Sequence, residues 1–275
     1  MRVRRIAILI DGGFYLKRLK HILPESYYDT PESVARSTAF YCKNHILKLT
    51  GCSSHKPQAW REHVYRFFFY DAVPFSGTVH NPISNLQINY SKTPEYEFRQ
   101  KLFEELRKRR NFALRLGKVE KEGEWTPSNQ SDAKKLLRVK KFLDRFQEGS
   151  ATMPSFNDTE QEEWAKCLEI WKGLNAGNIK PGFKQKGVDM RVGVDIASLT
   201  LKKHVDTIIL CTGDSDFVPA AKLARREGVE FILDPLGQNI KEDLNEHIDG
   251  IVNGFPPKDK LERSILEEDQ SKKPL

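Results

Sequence analysis

Five stretches of the chain are dominated by apolar, β-branched and aromatic residues: 4–10 (RRIAILI), 63–70 (HVYRFFFY), 112–119 (FALRLGKV), 207–211 (TIILC) and 229–233 (VEFIL). Runs of this length without strict alternation read as strands buried on both faces, the condition of a parallel sheet. Helical periodicity fills the intervals. It runs through Phe14, Leu16, Leu19 and Ile22, through 39–49, through the charged stretch 95–110, and through 218–227, where Gly228 suits the residue just past a helix end. Strands alternating with helices predict an α/β fold with a mainly parallel central sheet and right-handed crossovers.

The middle of the chain breaks the rhythm. Residues 120–182 hold a polar loop, a basic amphipathic helix over 131–146, a Gly/Ser/Pro stretch and a second helix over 159–174, with no strand evident. The expected organisation is one domain over 1–255, interrupted by a helical insertion at about 120–183, with 256–275 as a charged C-terminal tail. Residues 74–94, rich in Pro, Ser and Asn, read as a long surface loop.

Composition narrows the class. Of 275 residues, 39% are hydrophobic and 30% charged, with 16 Phe and 8 Tyr. That is too aromatic for a disordered chain, and no run reaches the roughly 18 apolar residues of a spanning helix. The basic start followed by Ile6 to Ile10 is shorter than a signal-peptide core of about 7–15 residues and ends in Asp-Gly-Gly, so it is read as the first strand. Four cysteines make no disulfide framework, and a reducing, cytoplasmic setting is expected. Cys42, His45, Cys52 and His55 form two C-x2-H pairs of zinc-ligating chemistry, but the pairs are closely spaced and 39–49 reads as a helix. A half-buried helical Cys42 with exposed histidines is the expected outcome.

Acids recur where chemistry is expected. In an open parallel sheet, sites form beyond the carboxyl ends of the strands. Asp11, Asp71, Asp214 and Asp234 each follow an apolar run, and Asp216 follows Asp214 by two. One such Asp is most simply an N-cap. Several brought together repel one another unless a hard divalent cation neutralises them, and such an ion polarises phosphoryl oxygens and acidifies bound water. Asp189 and Asp195 flank the start of another apolar helix. Six positions turn a helix through about 600°, so the two do not share a face, and Asp189 beside Gly187 is favoured.

The segments IAILIDGG, KQKGVDMRVGVDIASL and IILCTGDSDFVPAAKLARREGVEF, with the late DLNEHIDGIVNGF, resemble the NYN-domain family, in particular the LabA-like branch of the PIN-like nucleases. The resemblance covers 4–15 and 184–255, not the insertion. It implies a three-layer α/β/α sandwich and a Mg2+- or Mn2+-dependent ribonuclease with Asp11, Asp189, Asp214 and Asp216 as catalytic and metal-binding acids. Asp195 matches a further acid of the pattern, which the resemblance implies as a fifth metal ligand or as a group supporting the ligands. Many members carry Asn in DG-x-N, where this chain has Phe14. That departure motivates an alternative, a catalytically weak or inactive RNA-binding or regulatory protein. A phosphatase acting through phospho-aspartate needs an acid two residues after its nucleophile, and Gly13 stands there.

Supporting roles fall to Asp71, Thr212 and Ser215, the hydroxyls as donors to carboxylate or phosphate. Lys+Arg number 45 against 38 Asp+Glu, a net charge of +7. With acids gathered at one edge, the remaining surface is expected to attract phosphate backbones. Lys184 and Lys186 beside the acids, Arg107 and Arg109 on the helix before the third strand, and Lys134, Arg138 and Lys141 on the inserted helix are the candidate contacts. The expected partner is RNA, single-stranded or structured, with no membrane association and room for a homo-oligomer.

Overall fold

The computed structural model describes residues 3–52, 59–145 and 155–257. In chain order these form β1 (Ile6–Asp11), α1 (Gly12–Ile22), α2 (Pro31–Thr50), β2 (Val64–Val73), β3 (Thr78–His80), β4 (Gln87–Asn89), α3 (Pro94–Arg107) and β5 (Phe112–Pro127). There follow α4 (Gln130–Leu137), α5 (Lys140–Leu143), α6 (Asp158–Gly173), β6 (Ile179–Lys186), α7 (Val188–Leu201), β7 (Thr207–Cys211), α8 (Val218–Arg226), β8 (Glu230–Asp234), α9 (Glu242–Glu246) and β9 (Gly250–Ile251). Local chemistry sets several boundaries. Thr30 and Ser33 form a reciprocal capping box around Pro31 at the start of α2, and Gly51, at φ 63, ends it. Gly228, at φ 80, takes the left-handed position after α8.

Seven strands form one sheet in the order β6-β5-β2-β1-β7-β8-β9. From β5 through β9 the neighbours are parallel. Residues in register share a face, and successive residues alternate. Ile10, Phe69 and Cys211 therefore point to one side, where they join a core with Tyr15 and Leu19 of α1, Tyr41 and Ile46 of α2 and Leu102 of α3. On the other side the apolar positions of α7 and α8, including Val192, Ile196, Val218 and Ala221, are buried. Helices thus cover both faces of a mostly parallel sheet.

The chain divides into two units. One comprises the described residues of Met1–Pro74, Pro94–Lys118 and Gln185–Leu275. The other takes Phe75–Thr93 and Val119–Lys184, so the boundaries fall within β5 and β6. In this second unit, rings of Phe75, Tyr90 and Phe183 meet at centroid distances of 4.8–5.8 Å. The Asn81 amide donates to the Ala176 carbonyl at 3.0 Å. Phe142, Phe156 and Trp164 form a further aromatic cluster.

Two expectations are corrected here. The interval 120–182 is not free of strands, because β5 continues to Pro127 and β6 begins at Ile179. KVEKEGEWTP and IKPGFKQK carry too much charge, Gly and Pro to announce strands by hydrophobicity. The interval 74–94 is likewise not all loop. It contains the antiparallel β3–β4 ribbon, whose turn is tied by the Asn81 side-chain Oδ1 accepting from the N–H groups of Ile83 and Ser84. Most of the expected tail, from 258 onward, lies outside the described residues.

Candidate active site

Connections leave β1 and β7 in opposite directions across the sheet, to β2 on one side and to β8 on the other. The carboxyl ends of these two strands therefore flank a topological switch point, the usual place for a site in an open α/β sheet. Asp11 closes β1. It caps α1, its Oδ1 accepting from the Phe14 N–H at 3.1 Å. Ile10 is in register with Cys211, so the following residues Asp11 and Thr212 sit side by side, and the Thr212 hydroxyl lies 3.5 Å from Asp11 Oδ2. The same hydroxyl accepts from the Asp214 N–H at 3.2 Å. Asp214 in turn accepts from the Asp216 N–H at 3.0 Å, holding a single tight turn over Ser215–Phe217. A short ladder of hydrogen bonds thus carries the chain from β7 to the two acids.

Close backbone approach is built into this corner. A Cβ on Gly12 would come within 2.6 Å of Phe69 Cε1 and of the Tyr70 carbonyl oxygen. A Cβ on Gly213 would meet Phe14 Cε2 at 2.9 Å and Gln238 Nε2 at 3.1 Å. Phe14 therefore lies against the backbone that leads to Asp214.

Asp189 occupies the first turn of α7, which starts at Gly187 in a left-handed conformation, φ 75. Its carboxyl is pushed up first by burial and then by the charges of Asp214 and Asp216. Burial likewise raises Asp11, with Asp189 and Asp71 adding to it and the N–H groups of Phe14 and Gly13 opposing. These shifts tie the four acids into one electrostatic neighbourhood. No three of them close to ligand distance: among the described residues, the one set of three His, Cys, Asp or Glu whose ligand atoms lie within 4.8 Å of one another is Asp243, Glu246 and His247, on the exposed rim of α9. Oxygen-only donors gathered on one rim, with the charges of Asp214 and Asp216 acting on Asp189 and that of Asp189 on Asp11, are a set suited to a hard divalent cation.

Other expected residues have different company. Asp195 accepts from the Tyr70 hydroxyl at 2.9 Å and from Arg115 Nε at 2.8 Å, which fastens α7 to β2 and β5. Asp195→Ala, which strands both donors, is expected to lower stability by about 1–2 kcal/mol in urea denaturation. Unchanged stability would release Asp195 from this structural role. Asp71 is buried and ion-paired with Arg99 of α3, yet its carboxyl is still raised, because desolvation outweighs the guanidinium. Asp234 is fully buried and accepts from His45 Nε2 at 2.9 Å, the Gly254 N–H at 2.7 Å and the Leu236 N–H at 2.9 Å. His45 is therefore interior rather than exposed, and Cys42 is fully rather than half buried. Cys42, His45 and Cys52 do not gather as ligands, and His55 lies outside the described residues.

Among the bases, Arg107, Lys134, Arg138 and Lys186 are exposed and Arg109 is half-buried, where desolvation lowers its pKa. Lys184 reaches Glu122 at 3.7 Å, and Lys141 is ion-paired with Glu163. Lys241 also stands at this rim. Its Nζ donates to Ser215 Oγ at 3.2 Å, between Asp214 and Asp216. Its sequence signal is one charge among 45.

Two cavities in the first unit lie elsewhere. One of about 900 Å³ is lined by Leu16, Lys20, Tyr28, Phe98 and Arg99, and one of about 260 Å³ reaches Asp234 and Phe255. Neither includes the four acids. Asp189, Asp214 and Asp216 are exposed and Asp11 is half-buried. Among the described residues, no helix is long and apolar enough to cross a membrane.

No curated protein matches the sequence. A crystal structure of a protein of unknown function from Vibrio parahaemolyticus aligns over 92% of this chain and 95% of its own, at 15% identity and a TM-score of 0.36, a likeness too weak to bear on fold or site. The NYN domain matches residues 101–249, just over half of the chain's 275 residues and including Asp189, Asp195, Asp214 and Asp216. This chain therefore belongs to the NYN domain family, within the PIN-like nuclease superfamily.

Proposed function

We propose that the chain is a metal-dependent ribonuclease of the LabA-like branch, using Mg2+ or Mn2+ held by Asp11, Asp189, Asp214 and Asp216. The observation that carries this reading is the placement of Asp11 and Thr212 side by side at the switch point, with Asp189 and Asp214 electrostatically coupled on the same rim. Bound there, the cation would offset the phosphodiester's charge and activate water. The chain's own groups do the rest. Thr212 and the Phe14 N–H orient the Asp11 carboxylate, while the turn at Ser215 aims Asp214 and Asp216. Asp195, Tyr70 and Arg115 fix the helix that carries Asp189. The open rim suits RNA, which the exposed bases Arg107, Lys134, Arg138 and Lys186 would attract through its backbone.

In this reading residues 1–255 are one nuclease domain with an insertion at about 120–183. All four cysteines are free and three are buried, which fits a reducing, cytoplasmic setting. Oligomeric state follows from sedimentation of the purified chain. The test of activity is cleavage of single-stranded RNA with Mn2+. Turnover abolished by EDTA and restored by excess Mn2+ is the expected result, and cleavage indifferent to EDTA overturns the reading.

Phe14 favours the second reading, an RNA-binding or regulatory member without turnover. An apolar ring against Gly213 offers no hydrogen bond where the family pattern has an amide. This reading expects metal-independent, salt-sensitive RNA binding and no products.

A further inference from the structure

The segment after β8 takes an uncommon backbone conformation. Leu236 has φ 49 and Gly237 φ 72, two consecutive left-handed residues, of which the leucine is disfavoured by its Cβ. Such backbone persists only where its surroundings fix it. Here both polar groups of Leu236 are clamped. Its N–H donates to the buried Asp234 Oδ1 at 2.9 Å, and its carbonyl accepts from Arg18 Nε and Nη2 at 3.2 and 2.9 Å. Arg18 belongs to α1, the helix that Asp11 caps.

The consequence is visible at the acid rim. After the clamped turn, the Gln238 amide comes against Gly213, with Nε2 3.1 Å from where a Cβ would stand, and Lys241 Nζ reaches Ser215 Oγ at 3.2 Å. A neutral donor and an ammonium are thus set beside Asp214 and Asp216. Carboxylates alone repel a phosphate, whereas an adjacent cation and amide donor offset that repulsion and give the phosphate oxygens partners.

We propose that Gln238 and Lys241, presented by the clamped turn at Leu236 and Gly237, form a phosphate-binding subsite for an RNA backbone beside Asp214 and Asp216. The proposal deepens the ribonuclease reading and rests on it for the substrate class. The side chains are exposed, so their replacement leaves the core intact.

The test uses the purified full chain and a fluorescently labelled single-stranded RNA, with anisotropy measured in EDTA across a salt series. Lys241→Gln is expected to weaken binding about fivefold to tenfold and to reduce the slope of log affinity against log salt by about 0.7, the loss of one phosphate contact. Lys241→Arg should restore the slope, and Gln238→Ala should weaken binding about threefold without changing it, because a neutral donor releases no counterion. Lys241→Gln binding with wild-type affinity and slope overturns the proposal. If Lys241→Gln weakens binding as expected but the wild-type chain shows no Mn2+-dependent cleavage, the subsite stands and the nuclease reading falls. A wild-type chain that neither binds nor cleaves RNA overturns both.

Discussion

Asp11→Asn is expected to reduce Mn2+-dependent RNA cleavage by at least about 100-fold, since replacing even an outer-shell partner of a metal ligand costs about 10–100-fold. The same substitution is expected to make the metal-free protein more stable at neutral pH. The Asp11 carboxyl is raised above its ordinary value by burial and by the Asp189 and Asp71 charges. A raised carboxyl means that the folded chain holds its proton to higher pH than the unfolded chain does. Stability therefore falls as pH climbs from the unfolded value through the folded one, and the penalty is fully present above it. Asparagine removes that penalty while keeping an oxygen to accept from the Phe14 N–H, and it is itself a favourable N-cap. Divalent cation should reverse the order, raising the wild-type melting temperature and leaving the variant nearly unmoved. Because protons compete with the cation for Asp11 and Asp189, both raised, the wild-type gain should shrink as pH is lowered through their titration. Thermal melts with and without Mn2+ check each sign. A metal-free variant less stable than wild type would refute the electrostatic account of the site.

The reasons why some of this was legible in the sequence, and some not, are physical. β1, β2, β7 and β8 are buried on both faces, and burial writes itself as unbroken apolar runs. β6 and the outer half of β5 are largely half-buried or exposed, and their hydropathy carries no such mark. Acids at strand ends were equally visible at Asp11, Asp71 and Asp234, yet their surroundings diverge because side chains alternate between faces. Asp234 is in register with Cys211 and Ile10, so it points into the core under α2, whereas Asp11 is one step further and points the other way. A single residue of register separates a rim carboxylate from a buried one, and register depends on neighbouring strands distant in sequence. Lys241 was invisible for a related reason: its place beside Ser215 depends on a backbone turn fixed by Arg18, 218 residues away from Leu236.

Asp234→Ala is expected to be the most destabilising single change in the first unit, costing at least about 3 kcal/mol in urea denaturation. The carboxylate is fully buried and accepts from three donors belonging to separate parts of the chain: His45 of α2, the Leu236 backbone and the Gly254 backbone. Removing it leaves three buried groups without an acceptor, each costing about 1–3 kcal/mol, with nothing in the alanine to compensate. His45 already has a buried Nδ1 with no hydrogen-bond partner, so its ring would lose its polar anchor. Asp234→Asn keeps the oxygen facing Leu236 but offers an amide N–H2 toward the His45 and Gly254 donors, so it should recover only part of the loss. The functional effect should outrun the loss of folded protein. With the Leu236 N–H released, the left-handed turn loses one of its two clamps, and Lys241 loses its fixed approach to Ser215. In the asparagine variant, which keeps the acceptor for the Leu236 N–H, RNA affinity assayed well below its melting temperature should stay near wild type, and weakening toward that of Lys241→Gln would show that the His45 and Gly254 contacts also hold the turn. Asp234→Ala retaining wild-type stability would show that the acid at the end of β8 is not the structural anchor its three hydrogen bonds make it.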